Sequence, residues 1–139
     1  KEYVEREKVT YIETESDRAF YSPLTDTVTV PSIKQYKETG DFYATNFHEL
    51  VHSTGHQSRL DRFSGDKMVA FGSETYSKEE LVAEIGASIL CNINGFENTT
   101  ENSVAYIKGW IKRIKDKPAE FVSACNKAYK SVDFILGNK

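Results

Sequence analysis

His48-Glu49-Leu50-Val51-His52 is the stretch on which the reading of this chain turns. On a helix, residues four apart lie about 40° around the axis and one turn along it, so His48 and His52 can present both imidazoles to one ion. Glu49 flanks them, about 60° from His52 by the same geometry. It is placed to take a proton from a water that a zinc ion polarises, which is the general-base role in metal-assisted hydrolysis. In a chain of 139 residues with three histidines, chance would place the pattern roughly 0.006 times. The competing reading, two histidines exposed on a helix surface, carries no chemistry.

The flanks of the motif spell a helix. Asp41 stands as its cap, Ala44, Phe47, Leu50 and Val51 repeat at helical spacing, and Gly55 supplies the stop. A catalytic zinc takes three protein ligands and keeps one position open. His56 follows His52 by four residues, yet on a continuous helix it would stand about 12 Å along the axis from His48. The longer pattern H-E-x-x-H-x-x-G-x-x-H fails at Ser58. His56 is therefore expected to end the helix, where an imidazolium suits the dipole, or to contact substrate.

The third ligand is sought further on, in a helix expected from Ser77 to about Cys91. Leu81, Val82, Ile85 and Ile89 share one side of it, and Glu80, Ala83, Glu84 and Ala87 the other. Small residues there let another helix approach closely, and carboxylates between two buried faces need a partner. Glu80 is taken as the ligand and Glu84 as the group that orients a histidine, with the reverse assignment open. Ser77-Lys78-Glu79-Glu80 also spells a capping box, a purely structural use for Glu80. Tyr76, just before this helix, is a candidate donor to the oxyanion of a tetrahedral intermediate, with simple packing as its alternative. Cys91 lies about 10 Å along the axis from Glu84 and is placed in the core.

Before the motif the chain reads as strands: Val9–Ile12, Ala19–Tyr21 and Thr27–Val30, with turn chemistry over Ser22-Pro23-Leu24-Thr25-Asp26. That is a small sheet containing a hairpin. Thr27–Val30 is a candidate exposed edge that pairs with an extended peptide. A short helix starts at Ser32, with Gln35 at capping-box spacing, and ends by Gly40. Gln57–Tyr76 is polar and glycine-containing, the expected rim of a site. Two amphipathic helices close the chain, one with Val104, Ile107, Ile111 and Ile114, the other with Phe121, Cys125, Ala128, Val132 and Ile135. Tyr106 and Trp110 are placed in the core of the first, and its basic run from Lys108 to Lys117 is read as a solvated face.

Composition narrows the class. Hydrophobic residues make up 39% and charged residues 28%, with three prolines, which excludes disorder and low complexity. A net charge of −3 removes the basic surface typical of nucleic-acid-binding domains. Two cysteines are too few for a secreted disulfide scaffold, no stretch is apolar enough to span a bilayer, and the first eight residues are charged where a signal peptide is apolar. A cytoplasmic location without membrane contact is expected.

Phe20-Tyr21-Ser22-Pro23 through Asp26, His48-Glu49-Leu50-Val51-His52-Ser53-Thr54-Gly55-His56 with Arg59-Leu60, and Phe71-Gly72-Ser73-Glu74 leading into Glu79-Glu80-Leu81-Val82-Ala83-Glu84 together resemble the C-terminal zincin-like metallopeptidase domain of ArdC-type antirestriction proteins. The likeness runs from about Ala19 to the end. It implies a zincin-like α+β fold, zinc at His48 and His52, Glu49 as base, and Glu80 as ligand with an acid four residues on. It also implies a mobile-element protein that shields incoming DNA from restriction and carries a single-stranded-DNA-binding domain upstream. Ser53 departs from the aromatic residue expected there.

The expectation is a single domain over residues 1–139, the C-terminal part of a longer protein. Its architecture is α+β: a small N-terminal sheet, then a helical bundle carrying the motif helix. Its function is zinc-dependent hydrolysis of a peptide bond in a protein substrate, a restriction-system component among the candidates. The alternative is a non-catalytic scaffold that contacts a restriction enzyme or DNA.

Overall fold

The computed structural model describes residues 1–63, 74–96, 100–113 and 117–138. It begins with a helix that sequence reading did not anticipate, α1 (Glu2–Glu7), with Glu2 and Glu5 in its first turn and Arg6 in its last, complementing the dipole. Its one buried residue is Tyr3, whose hydroxyl lies 2.8 Å from Ser53 Oγ. Lys8 closes α1 in the left-handed region at φ 54°.

Three strands follow: β1 (Thr10–Thr14), β2 (Phe20–Ser22) and β3 (Thr27–Pro31). β2 and β3 form the expected antiparallel hairpin, Tyr21 opposite Val28. β1 runs parallel to β3, Tyr11 also opposite Val28, so the order is β1-β3-β2. This corrects the expectation of an edge at Thr27–Val30: β3 is the central strand, and both sides of its backbone are taken by β1 and β2. Val28 and Val30 point to one face and are fully buried, as period-two alternation requires.

Ser32 and Gln35 form the expected capping box, on a single 3-10 turn over Ile33–Gln35. The motif helix α2 spans Thr39–Ser53, with Glu38 at its N-cap and no side-chain cap. Asp41 therefore sits inside the first turn, where its charge suits the dipole, and is not the cap; Gly40 belongs to this helix and does not end the one before. Helix α2 stops where Gly55 was expected to stop it, but the reason differs. Gly55 keeps an ordinary backbone conformation, and a Cβ on it would stand 2.5 Å from the Phe63 ring.

α3 (Glu74–Ile93), α4 (Thr100–Arg113) and α5 (Pro118–Leu136) complete the bundle. Because α3 opens at Glu74, Tyr76 lies in its first turn and Ser77 cannot cap it, so the capping box suggested for Glu80 does not form. Proline opens α5, and Gly137 closes it at φ 75°. On α4 the buried positions among the described residues are Ser103 and Trp110, with Ile107 packed against the core that holds Trp110; Val104, Ile111 and Tyr106 are exposed, contrary to expectation. Ile114 and residues 64–73 of the loop, Phe71-Gly72-Ser73 included, lie outside the described residues.

Helix α2 lies between two cores. Phe42 joins Tyr3, Val9, Val28 and Val30 under the sheet. Val51 joins Leu81, Val82, Ala83, Leu90, Ala124, Ala128 and Val132 among the helices, with Cys125 packed against that group and Cys91 buried as expected. Gly86 of α3 abuts Val51, which brings the two helices close enough for side chains one turn long to meet between them.

Candidate metal centre

Both motif histidines project from α2 toward α3. Their Nε2 atoms are 3.2 Å apart. Glu80 of α3 reaches both, with Oε2 3.0 Å from His48 Nε2 and Oε1 2.9 Å from His52 Nε2. One ligating atom from each of His48, His52 and Glu80 thus lies within 4.8 Å of the others.

The outer ring nitrogens have partners of their own. His48 Nδ1 meets Glu84 Oε2 at 3.1 Å, and Ser103 donates to the other Glu84 oxygen at 2.8 Å. His52 Nδ1 meets Glu79 Oε1 at 3.3 Å, and Arg62 grips both Glu79 oxygens. With each Nδ1–H donating to a carboxylate, the two Nε2 lone pairs and the Glu80 carboxylate are three acceptors facing one point. Acceptors cannot satisfy one another; a cation satisfies all three. A tetrahedral ion with bonds of about 2.0–2.1 Å separates its donors by about 3.3 Å. The observed separations of 2.9–3.2 Å fit that geometry.

Electrostatics agree with a site built for positive charge. Burial pushes the His48 pKa down, yet hydrogen bonds to Glu80 and Glu84 outweigh it and raise the group to about 10. His52 is likewise raised against its burial by Glu79 and Glu80. Burial pushes Glu80 up, and the two imidazoles then hold it well below the usual carboxylate range. A divalent ion takes the place of protons in such a site.

Glu49 stands outside the three-residue cluster. It is buried, which raises its pKa, while His52 and His48 oppose the rise; the Tyr21 backbone N–H, in β2, also faces its carboxylate. It lines a cavity of about 330 Å³ together with His48, His52, Glu80 and Tyr76. Phe20, Tyr21, Pro23 and Phe63 add aromatic and apolar lining. Tyr76 is pushed up to about 12 by burial and then by its neighbour Glu80, to which it hydrogen-bonds, so it stays a protonated donor at neutral pH. His56 lies beyond the end of α2 with Nδ1 2.8 Å from Ser58 Oγ, apart from the other two histidines.

The four residues singled out as ligand or orienter, His48, His52, Glu80 and Glu84, come together, with Glu49 and Tyr76 beside them. Glu79 and Arg62 were missed. The signal for Glu79 was present: two histidines whose outer nitrogens both need an acceptor call for two orienting carboxylates besides the ligand.

A family model described as zincin-like metallopeptidase matches residues 2–127. Among solved structures, the Mn(II)-bound antirestriction protein ArdC from plasmid R388 superposes with a TM-score of 0.78 at 33% identity, over 98% of this chain and 50% of that one. Its metal-free form gives a TM-score of 0.75, over 48% of that chain. A DNA primase TraC of Escherichia coli is 45% identical over 122 residues, 88% of this chain and 11% of TraC. Protein y4eC of Sinorhizobium fredii is 29% identical over 119 residues, 85% of this chain and 38% of y4eC. The chain thus spans about half of ArdC and a small part of these curated relatives. With its α+β fold and its two-histidine, one-glutamate donor set, it belongs to the zincin-like metallopeptidase family and is of the ArdC type.

Proposed function

We propose that this chain is a zinc-dependent peptidase domain that hydrolyses a peptide bond in a protein involved in restriction, with His48, His52 and Glu80 as metal ligands and Glu49 as general base. The supporting observation is the convergence of the three acceptors on one point, with the Glu49 carboxylate in the same cavity. A bound zinc ion would supply Lewis-acid polarisation of a water and of the scissile carbonyl.

The chain's own residues do the rest. Glu49, raised by burial, accepts a proton from the attacking water and passes it to the departing amine. Tyr76, still protonated, donates to the oxyanion. Glu84 and Glu79 hold the imidazoles in the tautomer that turns Nε2 inward. Phe20, Pro23 and Phe63 exclude water from one side of the reacting groups. The restriction-related target follows from the ArdC likeness, as do a mobile-element origin, DNA contact through an upstream domain and a cytoplasmic setting. No helix among the described residues is long and apolar enough to cross a membrane.

Metal content by mass spectrometry and cleavage of a peptide library test the reading together. One zinc per chain and cleavage that disappears in Glu49→Gln, with zinc retained, is the expected result. Antirestriction that survives Glu49→Gln would replace the hydrolase with a scaffold that binds its target uncut.

A further inference from the structure

Behind His52 stands Glu79, and behind Glu79 stands a guanidinium. Arg62 donates from Nη2 to Glu79 Oε1 at 2.8 Å and from Nε to Oε2 at 3.1 Å, a bidentate pair. Its remaining N–H groups are also engaged. Nη1 donates to Thr54 Oγ1 at 2.8 Å and Ser131 Oγ at 3.0 Å, and Nη2 also donates to the Val51 carbonyl at 2.8 Å. All five donors of a guanidinium therefore have acceptors. The side chain is only 9% exposed.

These contacts span the end of α2, α3 and α5, so the guanidinium is fixed in place and direction. Its backbone is fixed too: the Arg62 N–H donates to the Gly55 carbonyl at 2.9 Å. Glu79 has no freedom to turn away from His52 while both its oxygens are held. The arrangement behind His48 is looser, since Glu84 is steadied by the Ser103 hydroxyl and is about twice as exposed as Glu79.

We propose that Arg62 is a positioning residue of the metal centre: it fixes the Glu79 carboxylate so that Glu79 accepts the His52 Nδ1–H and leaves His52 Nε2 facing the ion. This rests on the metal-centre reading above, though not on hydrolysis. Arg62 touches no ligand atom and acts through Glu79 alone. Lysine, a point charge without the fork, cannot hold both oxygens.

The test is zinc affinity of the full chain by competition with a chelator, for Arg62→Lys, Glu79→Gln and the pair. Each single variant is expected to weaken zinc binding about 10–100-fold, and the pair no more than Glu79→Gln alone. In the zinc-loaded protein, the His52 Nδ1–H proton resonance is expected strongly downfield in the parent and should move upfield in Arg62→Lys and Glu79→Gln. Arg6→Ala, whose contacts are with Tyr3, Glu7 and Phe134, should lower the melting temperature and leave zinc affinity within twofold. Parent-like affinity in Arg62→Lys, or losses that multiply in the pair, would overturn the proposal. If Arg62→Lys fails to fold, the parent decides: absence of a downfield Nδ1–H resonance in the zinc-loaded chain also overturns it. His52→Ala separates the two readings. Unchanged affinity there sinks the metal centre and the relay together, whereas loss there beside parent-like Arg62→Lys sinks the relay alone.

Discussion

Gly86 of α3 lies so close to Val51 of α2 that a Cβ on it would stand 2.8 Å from Val51 Cγ2. Val51 is fully buried, and a β-branched side chain in a helix has one strongly preferred rotamer, so it cannot swing aside. Gly86→Ala should force the helices apart. Alanine regains about 1 kcal/mol of helix propensity, but overpacking costs about 1–3 kcal/mol, for a net loss of up to about 2 kcal/mol in a urea titration. The same variant should bind zinc less tightly, because the histidines and Glu80 stand on opposite sides of that contact. Unchanged affinity would mean that the centre tolerates a shifted helix.

Glu80 and Glu84 are separable by metal analysis. Glu80→Gln should lose the ion, while Glu84→Gln should retain it at about 10–100-fold weaker affinity, as expected of a partner that only orients His48. The reverse pattern would exchange their roles.

Tyr76 has its test in kinetics. Tyr76→Phe keeps the ring and removes the donor, so cleavage should slow by about 10²–10³ in kcat with KM little changed. A rate equal to that of the parent would return Tyr76 to a packing role.

Away from the centre, Asp26 sets a pH dependence. Arg59 donates to both its oxygens, at 2.7 and 2.8 Å, and Tyr21 donates at 2.8 Å. Burial pushes Asp26 up, but these bonds outweigh it and hold its pKa below the ordinary value. The stability it contributes is thus fully present above the unfolded pKa of about 3.9 and is lost as pH falls through the lower folded value. Asp26→Asn removes the charge while tolerating the positive φ of 48° at that position. It should cost about 1–3 kcal/mol near neutrality and flatten the acid limb of a urea-midpoint profile. An unchanged acid limb would assign the acid sensitivity elsewhere.

Local chemistry made much of this molecule legible. The spacing of His48 and His52 announces that their imidazoles meet, Val28 and Val30 announce a buried strand face, and Ser32 with Gln35 a cap. What escaped depends on distant partners. Whether β3 is central or at an edge is decided by β1, seventeen residues earlier and parallel to it, and no pattern within Thr27–Pro31 records that. On α4, Val104 and Ile111 keep helical spacing with Ile107, yet the face turned inward is set by where Trp110 and Ser103 meet the bundle. Glu79 drew no notice beside the capping-box reading of Glu80, because helix start signals are local while its partners, His52 and Arg62, lie 27 and 17 residues away.

The link between α1 and the end of α5 has an architectural consequence. Arg6 donates to the Phe134 carbonyl, its guanidinium lies 5.9 Å from the Phe134 ring, and the Tyr3 and Phe134 rings meet edge to face at 6.4 Å. Residues 3–6 and 134 are thus held side by side, so the fold enters and leaves through one doorway. A unit whose two ends meet can be let into a longer chain as a cassette, displacing its neighbours by little more than the width of that doorway. Joining the ends by a short linker and opening the chain elsewhere should likewise preserve the fold.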